Sequence, residues 1–124
     1  MGLDIVMMFT WETDKDASRV SMYHFPDQWP RGDIDREKAQ LIAQAILDFD
    51  PDGHCLVIAA GGAPCIDNSG IKGRRAMGTS GTAGRLFPVM VGLVHDIKGR
   101  LAKTHHLVEL YENVNPCDTL QPPV

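Results

Sequence analysis

A basic, glycine-rich segment is the part of the sequence best suited to hold an anion. Residues 67–85 contain five glycines, four basic side chains and few apolar residues. Glycine lets main-chain N–H groups come close to an anion, while basic and hydroxyl side chains add charge and hydrogen bonds. We therefore predict a long loop over 67–85 that binds a small anionic ligand. The binding side chains would be Lys72, Arg74, Arg75, Thr79, Ser80 and Arg85.

The same segment lacks the motifs of nucleotide-binding loops. Gly73 and Gly78 have the spacing of a P-loop, but Thr79 follows where that motif requires lysine. No helical pattern is apparent after the segment, and no G-x-G-x-x-G occurs. The sequence thus indicates a general anion site, and the alternative is a plain linker between two strands.

An aspartate-rich turn matches the opening of a calcium loop. Asp48, Asp50 and Asp52 precede Gly53 in the order D-x-D-x-D-G. The twelfth position is Ala59, where the calcium loop requires a bidentate glutamate. Because aspartate, proline and glycine are also common in ordinary turns, we predict a structural turn that binds calcium weakly.

Histidine side chains are further candidates for metal or acid–base chemistry. If Lys98 and Gly99 form the turn of a hairpin, His95 and His106 share a face but lie about 13 Å apart at the rise of a strand. That distance is too long for both to bind one ion. We therefore expect no metal site and no cofactor, with the alternative that His24 or His54 converges on one of these histidines from elsewhere in the chain.

Cys65 is the thiol best placed for nucleophilic catalysis, because it follows a predicted interior strand. A catalytic cysteine needs a nearby histidine or positive field. His54 precedes Cys55, but neighbours on a strand point to opposite faces. A small enzyme that uses Cys65 with His54 or His95 is therefore an alternative that lacks a linked acid–base pair in the sequence. The odd number of cysteines, three, favours free thiols in a reducing cytoplasm.

Charge is distributed unevenly along the chain. Residues 1–53 have eleven acidic and five basic side chains, whereas 68–108 have seven basic side chains and one acidic one, Asp96. A nucleic-acid- or protein-interaction module that uses residues 68–108 is a second alternative. Nucleic acid is the less favoured partner, because the net charge is −4 and Phe87 is the one aromatic residue in that segment.

The first half of the chain predicts two strands and a helix. Alternating apolar residues over 3–12 indicate a strand, and 19–25 would form a return strand after a polar turn. Apolar residues at three- and four-residue spacing predict a helix over 34–49, which Pro51 cannot continue.

The second half predicts further strands. Residues 54–60 and 86–97 are apolar on both faces, which is typical of interior strands. Lys98 and Gly99 would then turn the chain into a return strand over 100–111, with a helix as the alternative for that segment. Residues 115–124 form a proline-rich tail.

This order of elements is not the strict strand–helix alternation of a doubly wound sheet. We predict a single α+β domain over 1–114, with a mixed or antiparallel sheet of about four to five strands and one main helix on one face. One helix leaves a sheet face uncovered, so we expect a homodimer that binds a small molecule. No apolar run is long enough for a membrane span, and no signal peptide is apparent, so we expect no membrane partner.

Overall fold

The computed structural model describes residues 2–62 and 86–112 of the 124-residue chain. Within these residues the chain forms three α-helices, one 3-10 helix and four strands. The helices are α1 (Lys15–His24), α2 (Ala39–Phe49) and α3 (Leu86–Leu101), and the 3-10 helix is Ile34–Arg36. The strands are β1 (Phe9–Thr10), β2 (Trp29–Pro30), β3 (Val57–Gly62) and β4 (Leu107–Glu112).

The α+β class predicted from the sequence is confirmed, but the predicted single sheet is wrong. The described strands form two separate parallel pairs, β1 with β2 and β3 with β4. The predicted helix over 34–49 is α2 preceded by the 3-10 helix, and it is one of three helices rather than the main one.

The described residues up to Glu37 form one compact unit. Its short pair β1–β2 is held by aromatic packing, with the Phe9 ring edge-on to Trp29 at a centroid distance of 5.4 Å. The Glu37 carboxylate accepts hydrogen bonds from Trp11 Nε1 and from two nitrogens of Arg31, each at 2.9 Å. Of the strand predicted over 3–12, only the two residues of β1 form a strand.

The predicted return strand over 19–25 is wrong, because these residues belong to α1. Asp14 caps the helix by accepting a hydrogen bond from the main-chain N–H of Asp16 at 2.9 Å. Asp16 in the first turn and His24 in the last turn both complement the helix dipole. The polar residues that suggested a turn are therefore the start of a helix.

The second compact unit begins at Lys38 and is built on a β3–α3–β4 crossover. Because β3 and β4 are parallel, the chain must return across the sheet between them. Their register pairs Val57 with Leu107 and Gly62 with Glu112. Side chains alternate between a more buried and an exposed face along both strands. The more buried face is the one that α3 covers, since Met90 lies against Gly61 and the ring of Phe87 lies 5.8 Å from that of Tyr111.

The predicted interior strand over 86–97 is wrong, and so is the hairpin turn at Lys98 and Gly99. Both lie within α3, whose buried residues Val94, Ile97 and Leu101 recur at helical spacing. The 16-residue length also exceeds that of a typical strand. Pro88 is tolerated because the first helical turn needs no N–H donor there. A helix thus does follow the glycine-rich segment.

The predicted strand over 100–111 is correct only in its second half, which is β4. A strand is present near the predicted 54–60 segment, as β3 at Val57–Gly62, but the prediction of an interior strand is wrong, because β3 belongs to a two-stranded pair and one of its faces is exposed. α3 packs against α2 on one side and against β3 and β4 on the other, and these contacts form the core of this second unit. Its buried apolar side chains are Ala39, Ile42, Ala43, Val94, Ile97, Leu101 and Leu107.

Candidate functional site

The carboxyl ends of β3 and β4 meet at one edge of the parallel pair and leave a shallow cavity there. β3 ends in three small residues, Ala60, Gly61 and Gly62, so no large side chain fills this end of the strand. It is open to solvent over most of its extent and has a volume of about 420 Å³. It is lined by Ala60, Gly61, Leu110, Tyr111 and Glu112.

Both glycines of β3 lie at close approaches, but only the one at Gly62 is to main chain, because Gly61 faces the flexible end of Met90. A Cβ on Gly61 would lie 2.7 Å from Met90 Sδ on α3. A Cβ on Gly62 would lie 2.8 Å from both the carbonyl oxygen and Oε2 of Glu112. The absence of side chains here brings α3 and β4 close to the strand, and it also exposes main chain to a ligand.

A polar cluster lies on the helix-covered face beside the cavity, centred on Glu109. Its Oε1 accepts a 2.8 Å hydrogen bond from the Tyr111 hydroxyl and lies 2.9 Å from His95 Nε2. Its Oε2 lies 3.2 Å from Lys98 Nζ. Glu109 and Tyr111 share a strand face, while His95 and Lys98 lie one helical turn apart on α3. The crossover therefore brings these four groups together.

The cluster changes the acidity of two of its members. The hydrogen bond from Tyr111 and the charges of Lys98 and His95 lower the pKa of Glu109, against the effect of desolvation. Burial, followed by the hydrogen bond to Glu109 and its charge, raises the pKa of Tyr111 to about 12. The cluster thus holds a proton on Tyr111 and keeps Glu109 ionised, where the carboxylate orients the His95 ring.

The linked pair of His95 and Glu109 was missed in the sequence. The predicted hairpin placed His95 on a strand, whereas the structure places it on α3 beside Glu109. The predicted separation of His95 from His106 along one strand face is wrong for the same reason. The spacing of Val94, Ile97 and Leu101 in the second half of α3 was the signal that could have shown the helix and hence this pair, because the first half is apolar on most sides.

A second polar group lies where α2 ends. The Asp50 carboxylate accepts hydrogen bonds from the main-chain N–H groups of His54 at 3.0 Å and Cys55 at 2.8 Å. His105 Nε2 lies 3.0 Å from Asp50 Oδ2, and its ring is fully buried. Because no ligand can reach this pair from solvent, its role is to hold the structure together.

The aspartate turn is engaged within the protein. Asp50 is turned inward as described, Asp48 accepts a 2.8 Å hydrogen bond from Gln44, and Asp52 lies 3.8 Å from His54. His54 and Cys55 precede β3, which begins at Val57, so the predicted alternation of these two residues along a strand does not apply. Within 2–62 and 86–112, no three side chains of histidine, cysteine, aspartate or glutamate converge to hold a metal ion.

The predicted anion-binding residues lie outside the described part of the chain. These are Lys72, Arg74, Arg75, Thr79, Ser80 and Arg85, and Cys65 and the 115–124 tail also lie outside it. In sequence the segment follows β3 and precedes α3, so the chain leaves for it from the strand end that lines the cavity.

Comparison with known proteins adds no relationship to this geometry. No protein-family model matches the chain, and no curated protein matches it. Among the helices of the described residues, none is long and apolar enough to cross a membrane. The function must therefore be argued from the site itself.

Proposed function

We propose that this chain is a small-ligand-binding domain that acts as a homo-oligomer, and that its ligand joins an apolar part to an anionic group. The cavity at the carboxyl ends of β3 and β4 is the observation that carries the proposal. In sheets with helical cover, ligands commonly bind outside this end of parallel strands. Leu110 and Ala60 offer the apolar wall.

The anionic group is assigned to the basic segment rather than to the cavity itself. Glu112 lines the cavity and repels an anion, so a charged ligand needs cations from elsewhere. Arg74, Arg75 and Arg85 belong to the segment that follows β3 directly in sequence. Charge-assisted hydrogen bonds from these arginines would hold a phosphate or carboxylate. The odd number of cysteines in the sequence supports a reducing, cytoplasmic setting for this activity.

Thermal unfolding in the presence of three probes tests this function. The probes are phenyl phosphate, inorganic phosphate and phenol. We expect phenyl phosphate to protect at the lowest concentration, because it alone uses both the apolar cavity and the basic segment. At a hundredfold excess over its dissociation constant, a ligand stabilises the native state by about 2.7 kcal/mol. Equal effects of all three probes, or none, would contradict the proposal.

Two sets of variants assign the two parts of the ligand. Arg74→Ala with Arg75→Ala should abolish protection by both phosphates, while Arg19→Ala with Arg36→Ala removes the same charge elsewhere and should not. Ala60→Leu fills the cavity and should reduce the protection by phenyl phosphate to that given by inorganic phosphate. Protection that survives the Arg74 and Arg75 changes would remove the basic segment from the site.

The same experiment separates the alternative of a nucleic-acid-interaction module. Nucleic acid binding rises with strand length and falls steeply with the logarithm of salt concentration. Single-stranded oligonucleotides of increasing length should therefore have no length-dependent effect on unfolding if the chain binds small ligands.

The contact between His95 and Glu109 favours an enzyme as the second candidate function, because it is a linked acid–base pair beside the cavity.

A further inference from the structure

We draw no further inference here: the strongest candidate, the side-chain cluster in which His95 of α3 lies 2.9 Å from Glu109 of β4, belongs to the site already described, where it carries the second candidate function.

Discussion

His105 and Asp50 are joined through Nε2 and Oδ2 at 3.0 Å although they are 55 residues apart in the chain. The His105 ring is fully buried, and the Asp50 side chain is 8% exposed. Because the carboxylate can only accept, Nε2 must carry the proton that forms this bond. The contact ties the end of α2 to the turn between α3 and β4.

The other ring nitrogen of His105 lies 2.8 Å from the Thr104 hydroxyl. That hydroxyl also lies 3.3 Å from the carbonyl oxygen of Leu101. If the ring is neutral, the hydroxyl donates to Nδ1; if the ring is charged, Nδ1 donates to the hydroxyl, which then donates to Leu101. The imidazole therefore has a hydrogen-bonding partner at both nitrogens in either state.

Acid should lower the free energy of unfolding, because it protonates Asp50. Hydrogen bonds from the N–H groups of Cys55 and His54 and from the His105 ring lower the pKa of Asp50 to about 2. An unfolded aspartate has a pKa of about 3.9. The stability that the ionised carboxylate contributes is therefore present above pH 5 and is lost as the pH falls towards 2.

Urea unfolding of Asp50→Asn across this range checks the prediction. We expect the variant to be less stable than the wild type at pH 7, and we expect the difference to narrow from pH 5 to pH 2. Asp48→Asn makes the same change at an exposed residue of the same turn and should have a much smaller effect. A constant difference between the wild type and Asp50→Asn at all pH values would contradict the assignment.

The turn that carries Asp50 to its partner also depends on Gly53. Its φ is +73°, and a Cβ there would overlap the carbonyl oxygen of Thr104. Gly53→Ala should therefore destabilise the protein by more than the roughly 1–2 kcal/mol that a left-handed conformation costs. Gly32→Ala is the matched control, because Gly32 has a φ of +79° and no atom within 4 Å of such a Cβ. Equal losses in denaturant unfolding would mean that the overlap with Thr104 is relieved without cost.

The helices differ in how much of them the sequence alone could predict. α2 has its three polar residues, Gln40, Gln44 and Asp48, at four-residue spacing on one side of an otherwise apolar helix, so its period is visible. In α3, apolar residues from Leu86 to Val94 are at least half-buried on several sides, because the helix lies between α2 and the sheet. A helix that is apolar around most of its circumference has no clear period, and a short window of it resembles a buried strand.

The polar cluster could not be predicted for a different reason. Strand alternation predicts that Glu109 and Tyr111 share a face of β4. Their contact with His95 and Lys98, however, depends on the direction of β4 relative to β3. An antiparallel hairpin and a parallel crossover place different residues of the preceding segment beside Glu109. Direction depends on non-local pairing, which the spacing of residues in one sequence does not contain. An uncovered sheet face was expected from the prediction of a single helix and not from alternation, because residues 54–60 were predicted to be apolar on both faces.

Leu101 is the side chain on which the second unit's core depends most. It has no exposed surface and ends α3 just before the turn that leads to His105. Leu101→Ala should lower the free energy of unfolding by about 2–5 kcal/mol, since it removes buried methyl groups and leaves a cavity. Leu41→Ala on α2 is the control, because its side chain is half exposed and the helix tolerates alanine well. A loss of unfolding free energy below about 1 kcal/mol for Leu101→Ala would show that the Leu101 side chain is not tightly packed in the native core.

The last prediction concerns the proton held by Tyr111. Burial and the contact with Glu109 raise its pKa to about 12, while an unfolded tyrosine has a pKa of about 10. The chain has two tyrosines, so Tyr23→Phe leaves Tyr111 as the one phenol in an ultraviolet titration. We expect the phenolate of that variant to appear near pH 12. A midpoint near pH 10 would show that the hydroxyl is in water and not bound to Glu109.

The free energy of unfolding should fall over the pH range in which Tyr111 loses its proton. Because the folded state holds the Tyr111 proton more tightly, its contribution is fully present below about pH 10 and is lost as the pH rises towards 12. Adding Tyr111→Phe should remove this alkaline loss, since phenylalanine has no proton to release. Glu109→Gln on the Tyr23→Phe background should shift the phenol titration down, because the amide lacks the charge that opposes a second anion. That downward shift separates the effect of Glu109 from burial, which the Gln variant leaves in place.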